Sequence, residues 1–180
     1  RKTRVEDPAF AGEGEGPEYE TIYAMGSNCM IDNLAAVVKA NYLCNELGLD
    51  TITMGATVAC AMELVDRGYL SAKVVGRPLS WGDGEALVEL TRMTAYREGF
   101  GNRLAEGSYR LAESCGHPEL AMVSKKQEFP GYEPIIVKRG RQKITLTPEF
   151  DSTFKVYKGG GFASSRDPLR IDARFGANSA

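Results

Sequence analysis

The sequence predicts a mainly α fold, and three observations carry that prediction. Two apolar runs of helical spacing follow one another between residues 32 and 66, parted by a glycine and a capping residue. Two more helical runs occupy residues 83–98 and 102–115. Short β-type runs appear after residue 134, and the entry before residue 20 shows no helical period.

Residues 1–20 are rich in Gly, Glu and Pro and read as extended or irregular. The first helix is predicted from Asp32 to Leu47, with Gly48 as its C-terminal glycine. Leu34, Ala35, Val38 and Tyr42 form one apolar stripe; Ala36, Ala40, Leu43, Cys44 and Leu47 form another. A helix apolar nearly all round belongs inside a larger body. The second helix is predicted from Thr51 to Asp66, with Asp50 as cap. Its one internal acid, Glu63, reads as one end of a polar contact between helices, since a buried charge needs a partner. In the third helix Leu87, Leu90 and Thr94 share a face, while Glu85, Glu89 and Arg92 face solvent. The fourth puts Leu104, Ser108, Leu111 and Cys115 in register and stops at Gly116. The only histidine, His117, reads as a solvated turn residue. Runs at 135–137, 144–147 and 153–157 read as short strands, and residues 164–180 as weak strand or disorder.

With 43% apolar and 26% charged residues the chain is an ordinary globular one. A net charge of −2 gives no electrostatic case for nucleic acid or an anionic membrane. No run approaches the roughly 18 apolar residues of a membrane span, and no signal peptide precedes the first helix. A cytoplasmic location is therefore expected. The chain starts at Arg1 without Met, so a processed chain or part of a longer one is expected. Cys29, Cys44, Cys60 and Cys115 form no C-x-x-C pair, so local spacing builds neither a zinc site nor a cluster. They are expected to be buried thiols in a reducing compartment. Neither Gly99-Phe-Gly nor Lys158-Gly-Gly-Gly completes a phosphate loop.

Residues 45–51 place a helix end, a glycine turn and a helix start together. That is a helix corner, and its second helix start could also receive a polar or anionic ligand. Glu20 is one acid of a series with Glu13, Glu15 and Glu18.

Several ordered motifs add a resemblance. Gly16-Pro-Glu-Tyr-Glu-Thr, Met25-Gly-Ser-Asn-Cys, Lys39-Ala-Asn-Tyr-Leu-Cys-Asn-Glu-Leu-Gly-Leu-Asp-Thr-Ile, Arg97-Glu-Gly-Phe-Gly, Leu104-Ala-Glu-Gly and Glu128-Phe-Pro-Gly-Tyr-Glu-Pro are similar to segments of aldehyde ferredoxin oxidoreductases. The resemblance covers residues 8–134, read as one helical domain, with 135–180 as a divergent tail. It implies an enzyme that oxidises aldehydes to carboxylic acids and passes electrons to ferredoxin. Its cofactors would be a tungsten (or molybdenum) bis-pterin and a [4Fe–4S] cluster. By the same resemblance, Asn45, Gly48, Leu49 and Asp50 contact one pterin. Asn45 stands where the family has Asp, so the hydrogen-bonding group is kept and the charge is lost. Glu20 maps onto an acid near the metal, for proton handling or for orienting substrate and water. The cluster cysteines, the second pterin motif and a β-rich domain are expected outside this chain, which alone is expected to be inactive. A homodimer belongs with the resemblance, as does a related tungsten subunit acting on an aromatic acyl thioester. The rival from another class is a non-catalytic helical binding module that kept the fold.

Overall fold

The computed structural model describes residues 2–131, together with the backbone strands at 136–139, 142–145, 154–157 and 161–164. The chain divides into two compact units, Arg1–Phe129 and Pro130–Ala180. The first is mainly helical, as the sequence predicts.

It opens with an antiparallel hairpin, β1 (Lys2–Val5) and β2 (Gly12–Glu15), in register Lys2 to Glu15. Helices α1 (Tyr19–Met25), α2 (Leu34–Leu47), α3 (Thr51–Asp66), the short α4 (Ala72–Val75) and α5 (Gly84–Tyr96) follow. Two short helices, α6 (Gly101–Leu104) and α7 (Gly107–Ser114), lead to the hairpin β3 (Val123–Ser124) and β4 (Gln127–Glu128). The second unit holds two further antiparallel hairpins, β5 (Ile136–Arg139) with β6 (Gln142–Thr145) and β7 (Phe154–Tyr157) with β8 (Gly161–Ser164). The weak strand or disorder expected over 164–180 falls, beyond Ser164, outside the described residues.

The core of the first unit sits around α3, whose Val58, Ala61, Met62 and Leu64 are wholly buried. Helices α1 and α7 pack on α3, and α2 packs on α5, where Gly84 lies against the Ala36 side chain. The near-uniform apolarity of α2 and α3 follows from covering on more than one side. Leu34 departs from its predicted stripe and is exposed at the helix start.

Three boundaries follow their local caps. Asp50 accepts the Thr53 N–H at 2.7 Å, and Asp83 accepts that of Ala86 at 2.8 Å. Helix α2 begins two residues later than expected because Asn33, not Asp32, is the cap: its Oδ1 accepts from Ala35 and Ala36.

The entry, expected as extended or irregular, is an extended hairpin held by α2: Asn41 Nδ2 donates to the Glu15 carbonyl at 2.9 Å, Tyr42 Oη to the Thr3 carbonyl at 2.8 Å, and Lys39 Nζ to the Ala11 carbonyl at 2.8 Å. Partners some thirty residues downstream hold the hairpin, so no local signal announces the pairing. Two expectations need correction. The single helix expected over 102–115 is two helices, because Gly107 adopts φ +84 between them. Finally, Glu63 reaches no neighbouring helix among its recorded partners; it pairs with Arg67 one turn on, at 2.7 Å.

Candidate cofactor corner and its acidic neighbour

Helix α2 ends where Gly48 turns left-handed at φ 74, with the Gly48 and Leu49 N–H groups returning to the Cys44 carbonyl. A residue with a Cβ would strain this backbone by about 1–2 kcal/mol, although the space beside it is open. Two residues later Asp50 caps α3. An aspartate cap satisfies one N–H and leaves others in the first turn available to an outside acceptor, at the positive end of a 16-residue helix. Asn45, Gly48 and Asp50 are exposed and Leu49 is half-buried, so the corner presents its polar groups outward.

Glu20 lies in the first turn of α1 and is half-buried, unlike Glu13, Glu15 and Glu18, which are exposed. Burial sets it apart from the acidic loop with which its sequence context groups it. The Thr21 and Thr51 hydroxyls meet at 2.7 Å, joining the residue after Glu20 to the residue after Asp50. Behind this bond, α1 and α3 touch backbone to backbone: a Cβ on Gly55 would stand 2.5 Å from the Ala24 carbonyl carbon. The acid and the corner, some thirty residues apart in sequence, are thus carried on adjoining helix starts.

Sequence reasoning missed Tyr23, one turn on from Glu20. Burial first, then the Glu20 charge, hold its phenol above the ordinary range, which keeps the hydroxyl protonated beside the carboxylate. Tyr19, Ile22 and Tyr23 leave an apolar face exposed around the acid. No helical period marks residues 19–25 in the sequence, so this shared face emerges only with the fold.

A recess of about 250 Å³ opens against the other side of the corner, between the start of α3, the end of α5 and the α6–α7 link. Leu49 and Asp50 form part of its wall, as do Thr57, Arg97 and Gly107. Arg97 is itself held by Glu106 at 2.9 Å and Asn102 at 3.1 Å. Thr57 was also missed, since a threonine within an apolar helix gives no sign of where its hydroxyl goes.

The cysteines are free thiols, with Cys29, Cys44 and Cys60 buried as expected and Cys115 half-buried. Burial pushes each of the three buried thiols up to about 12, with Asp50 adding to the shift at Cys44. His117 is not a fully solvated turn residue: its ring stacks on Tyr69 at 3.5 Å, and Nδ1 lies 2.9 Å from Glu119. Among the described residues no group of three or more His, Cys, Asp or Glu could hold a metal ion. No helix among them is long and apolar enough to cross a membrane.

Residues 1–147 match the family model described as aldehyde ferredoxin oxidoreductase, domains 2 & 3. The chain belongs to the aldehyde ferredoxin oxidoreductase family. The match extends past both ends of the stretch 8–134 traced by motifs, so the likeness continues beyond Pro134, where short motifs no longer register it. The tungsten-containing aldehyde ferredoxin oxidoreductase of Pyrococcus furiosus is 52% identical over 133 residues, covering 73% of this chain and 22% of that protein. Its counterpart in Thermococcus kodakarensis is 49% identical over 133 residues, with the same shares. A further relative, the aliphatic sulfonate oxidoreductase, WOR-like subunit, of P. furiosus, is 41% identical over 98 residues, covering 54% of this chain and 16% of that protein. The chain spans about a fifth of the length of the curated relatives it matches.

Proposed function

We propose that this chain supplies the helical face that binds one pterin of a tungsten (or molybdenum) bis-pterin cofactor, in an enzyme that oxidises aldehydes to carboxylic acids and passes the electrons to ferredoxin. Residues 8–134 form the domain that does so. Asn45, Gly48, Leu49 and Asp50 contact the pterin, and Glu20 is the acid beside the reacting centre. The observation that carries this reading is the Thr21–Thr51 contact, which joins the helix of Glu20 to the helix capped by Asp50. A [4Fe–4S] cluster would take its ligands from elsewhere in the enzyme, and so would the metal.

The pterin would supply the dithiolene that holds a redox metal. What this chain does is bind and orient. The left-handed turn at Gly48 exposes backbone at the corner, Asn45 offers an amide that both donates and accepts, and Asp50 offers a carboxylate to ring N–H groups. Addition of oxygen to an aldehyde carbon releases a proton, and a half-buried carboxylate at Glu20 can take it. The protonated Tyr23 hydroxyl can donate to a carbonyl oxygen on the same face, and the exposed Tyr19 and Ile22 give that face an apolar surface for the rest of the enzyme to cover.

The test substitutes Glu20→Gln in the full-length enzyme carrying this segment. Tungsten and pterin content should stay near the unmodified level while aldehyde turnover falls by a factor of about 100 or more, the range of a lost general base. Undiminished turnover at full cofactor content would remove Glu20 from the chemistry. The isolated 180 residues should show no aldehyde oxidation. The likeness to the sulfonate oxidoreductase subunit favours a second reading of the substrate alone: a tungsten subunit with the same corner acting on another compound. Turnover of a panel containing aldehydes, sulfonates and acyl thioesters separates the two.

A further inference from the structure

Helix α1 is seven residues long, too short to persist alone, so its neighbours decide where Glu20 points. Glu18 stands at its N-cap and makes no side-chain cap bond, so the start of the helix is not held by a local cap. Thr21, Ala24 and Met25, three and four residues apart, form the buried face that lies on the core. Ala24 meets Gly55 of α3, and the Cys29 thiol lies 3.4 Å from the carbonyl oxygens of both. These contacts hold the far end of α1. In the first turn Tyr19 and Ile22 are exposed and Glu20 is half-buried, whereas Thr21 is only 4% exposed. Thr21 is therefore the side chain that seats the end carrying Glu20.

The two supports differ in kind. The Ala24–Gly55 contact is steric, and a short helix can turn about it. The Thr21–Thr51 bond, 2.7 Å between hydroxyl oxygens, is directional and opposes that turning. It acts three residues from Ala24, about 4.5 Å along the helix axis, and one residue from Glu20. An apolar side chain of the same size at position 21 would fill the space without making the bond. Atoms that do not bond settle at about 3.5 Å instead of 2.7 Å, so the near end of α1 would swing outward by about 1 Å. A misplacement of about 1 Å at a reacting group can lower a rate about 100-fold.

We infer that Thr21 is a positioning residue for Glu20: its hydroxyl, held by that of Thr51, fixes the angle at which α1 presents the carboxylate. The inference rests on the reading of Glu20 as the acid beside the reacting centre. It adds to that reading a buried residue that acts through the backbone of α1. When Thr21 changes, the carboxylate keeps its chemistry and loses its direction. Tyr23 rides on the same helix, so its hydroxyl turns with the carboxylate.

The test is a double-mutant cycle in the full-length enzyme carrying this segment, with Thr21→Val, Glu20→Gln and the two together. Thr21→Val should lower kcat about 10- to 100-fold while KM and the tungsten and pterin content stay near the unmodified values. Thr21→Ala, which removes the hydroxyl and adds no bulk, is carried alongside with the same expected outcome. Thr21→Ser, which keeps the hydroxyl, should recover most of the loss. In the Glu20→Gln background Thr21→Val should lower kcat by less than about twofold, because the group it directs is gone. An equal loss in both backgrounds, or a Thr21→Ser variant as slow as Thr21→Val, would make Thr21 a packing residue and overturn the inference while Glu20 keeps its role. Unchanged turnover in Thr21→Val, or loss of tungsten and pterin from both hydroxyl-free variants, would overturn it as well. Full turnover in Glu20→Gln alone would instead overturn the reading on which the inference rests.

Discussion

Gly55→Ala tests whether the joining of α1 to α3 rests on a missing side chain. The added Cβ would stand 2.5 Å from both the carbon and the oxygen of the Ala24 carbonyl, and 2.8 Å from the Ala24 Cβ. Non-bonded carbon atoms settle at about 3.5–4.0 Å, so the two helices must part by about 1 Å. The obstacle is backbone and cannot rotate away. Overpacking of this kind costs about 1–3 kcal/mol. The displacement also stretches the Thr21–Thr51 bond, 2.7 Å long, and the Cys29 contact to the Gly55 carbonyl at 3.4 Å; the first is worth about 1 kcal/mol. Against this, alanine in a helix interior is favoured over glycine by about 1 kcal/mol. The net expectation is a loss of about 2 kcal/mol. With a urea dependence of about 2 kcal/mol per molar for a small domain, the unfolding midpoint should fall by about 1 M. Urea denaturation followed by circular dichroism measures it. A midpoint that stays in place or rises would show that helix propensity outweighs packing at this contact, and the close approach would lose its role in seating Glu20.

Glu128→Ala should destabilise the chain by about 2–4 kcal/mol, since the Glu128 Oε1 accepts from both the Ser108 N–H at 3.0 Å and the Ser108 hydroxyl at 2.8 Å. Glu128→Gln, which keeps an acceptor, should lose about half as much; hydrogen exchange that leaves the Ser108 amide equally protected in the Ala variant contradicts the capping role. The three buried thiols set an alkaline limit. Their folded values of about 12 stand above the ordinary value of 9.0, so the unfolded chain releases these protons first. Stability should be level below about pH 9 and decline from there toward about pH 12, in urea midpoints taken across that range; at pH 8 a thiol reagent should modify Cys115 first, and equal rates at all four cysteines would contradict the burial.

What the sequence makes legible here is whatever its own neighbours enforce. Gly48, Asp50 and Asp83 fix boundaries through contacts within four residues, and those boundaries were readable. The β1–β2 hairpin depends on Lys39, Asn41 and Tyr42, and its strands, Lys-Thr-Arg-Val and Gly-Glu-Gly-Glu, carry no apolar alternation. The break at Gly107 is tied to Glu128, twenty residues on, so the 102–115 pattern looked continuous. Within the candidate site, the motif 45–50 was readable as a turn. Its juxtaposition with α1, the Tyr23 hydroxyl and the recess at Thr57 were not, because each depends on packing between helices and not on residue order.

The distance in sequence between Ser108 and Glu128 also has a temporal side. During synthesis at about 5–20 residues per second, helix α7 emerges about 1–4 seconds before the acid that completes its first turn. For that interval the Ser108 amide and hydroxyl depend on water, and α7, eight residues long, is too short to persist by itself. Docking of α7 against α3 is therefore expected to wait for the β3–β4 hairpin. A nascent chain halted before residue 128 should expose the α3 face that α7 covers, the one lined by Cys60, to chaperones and to thiol reagents alike.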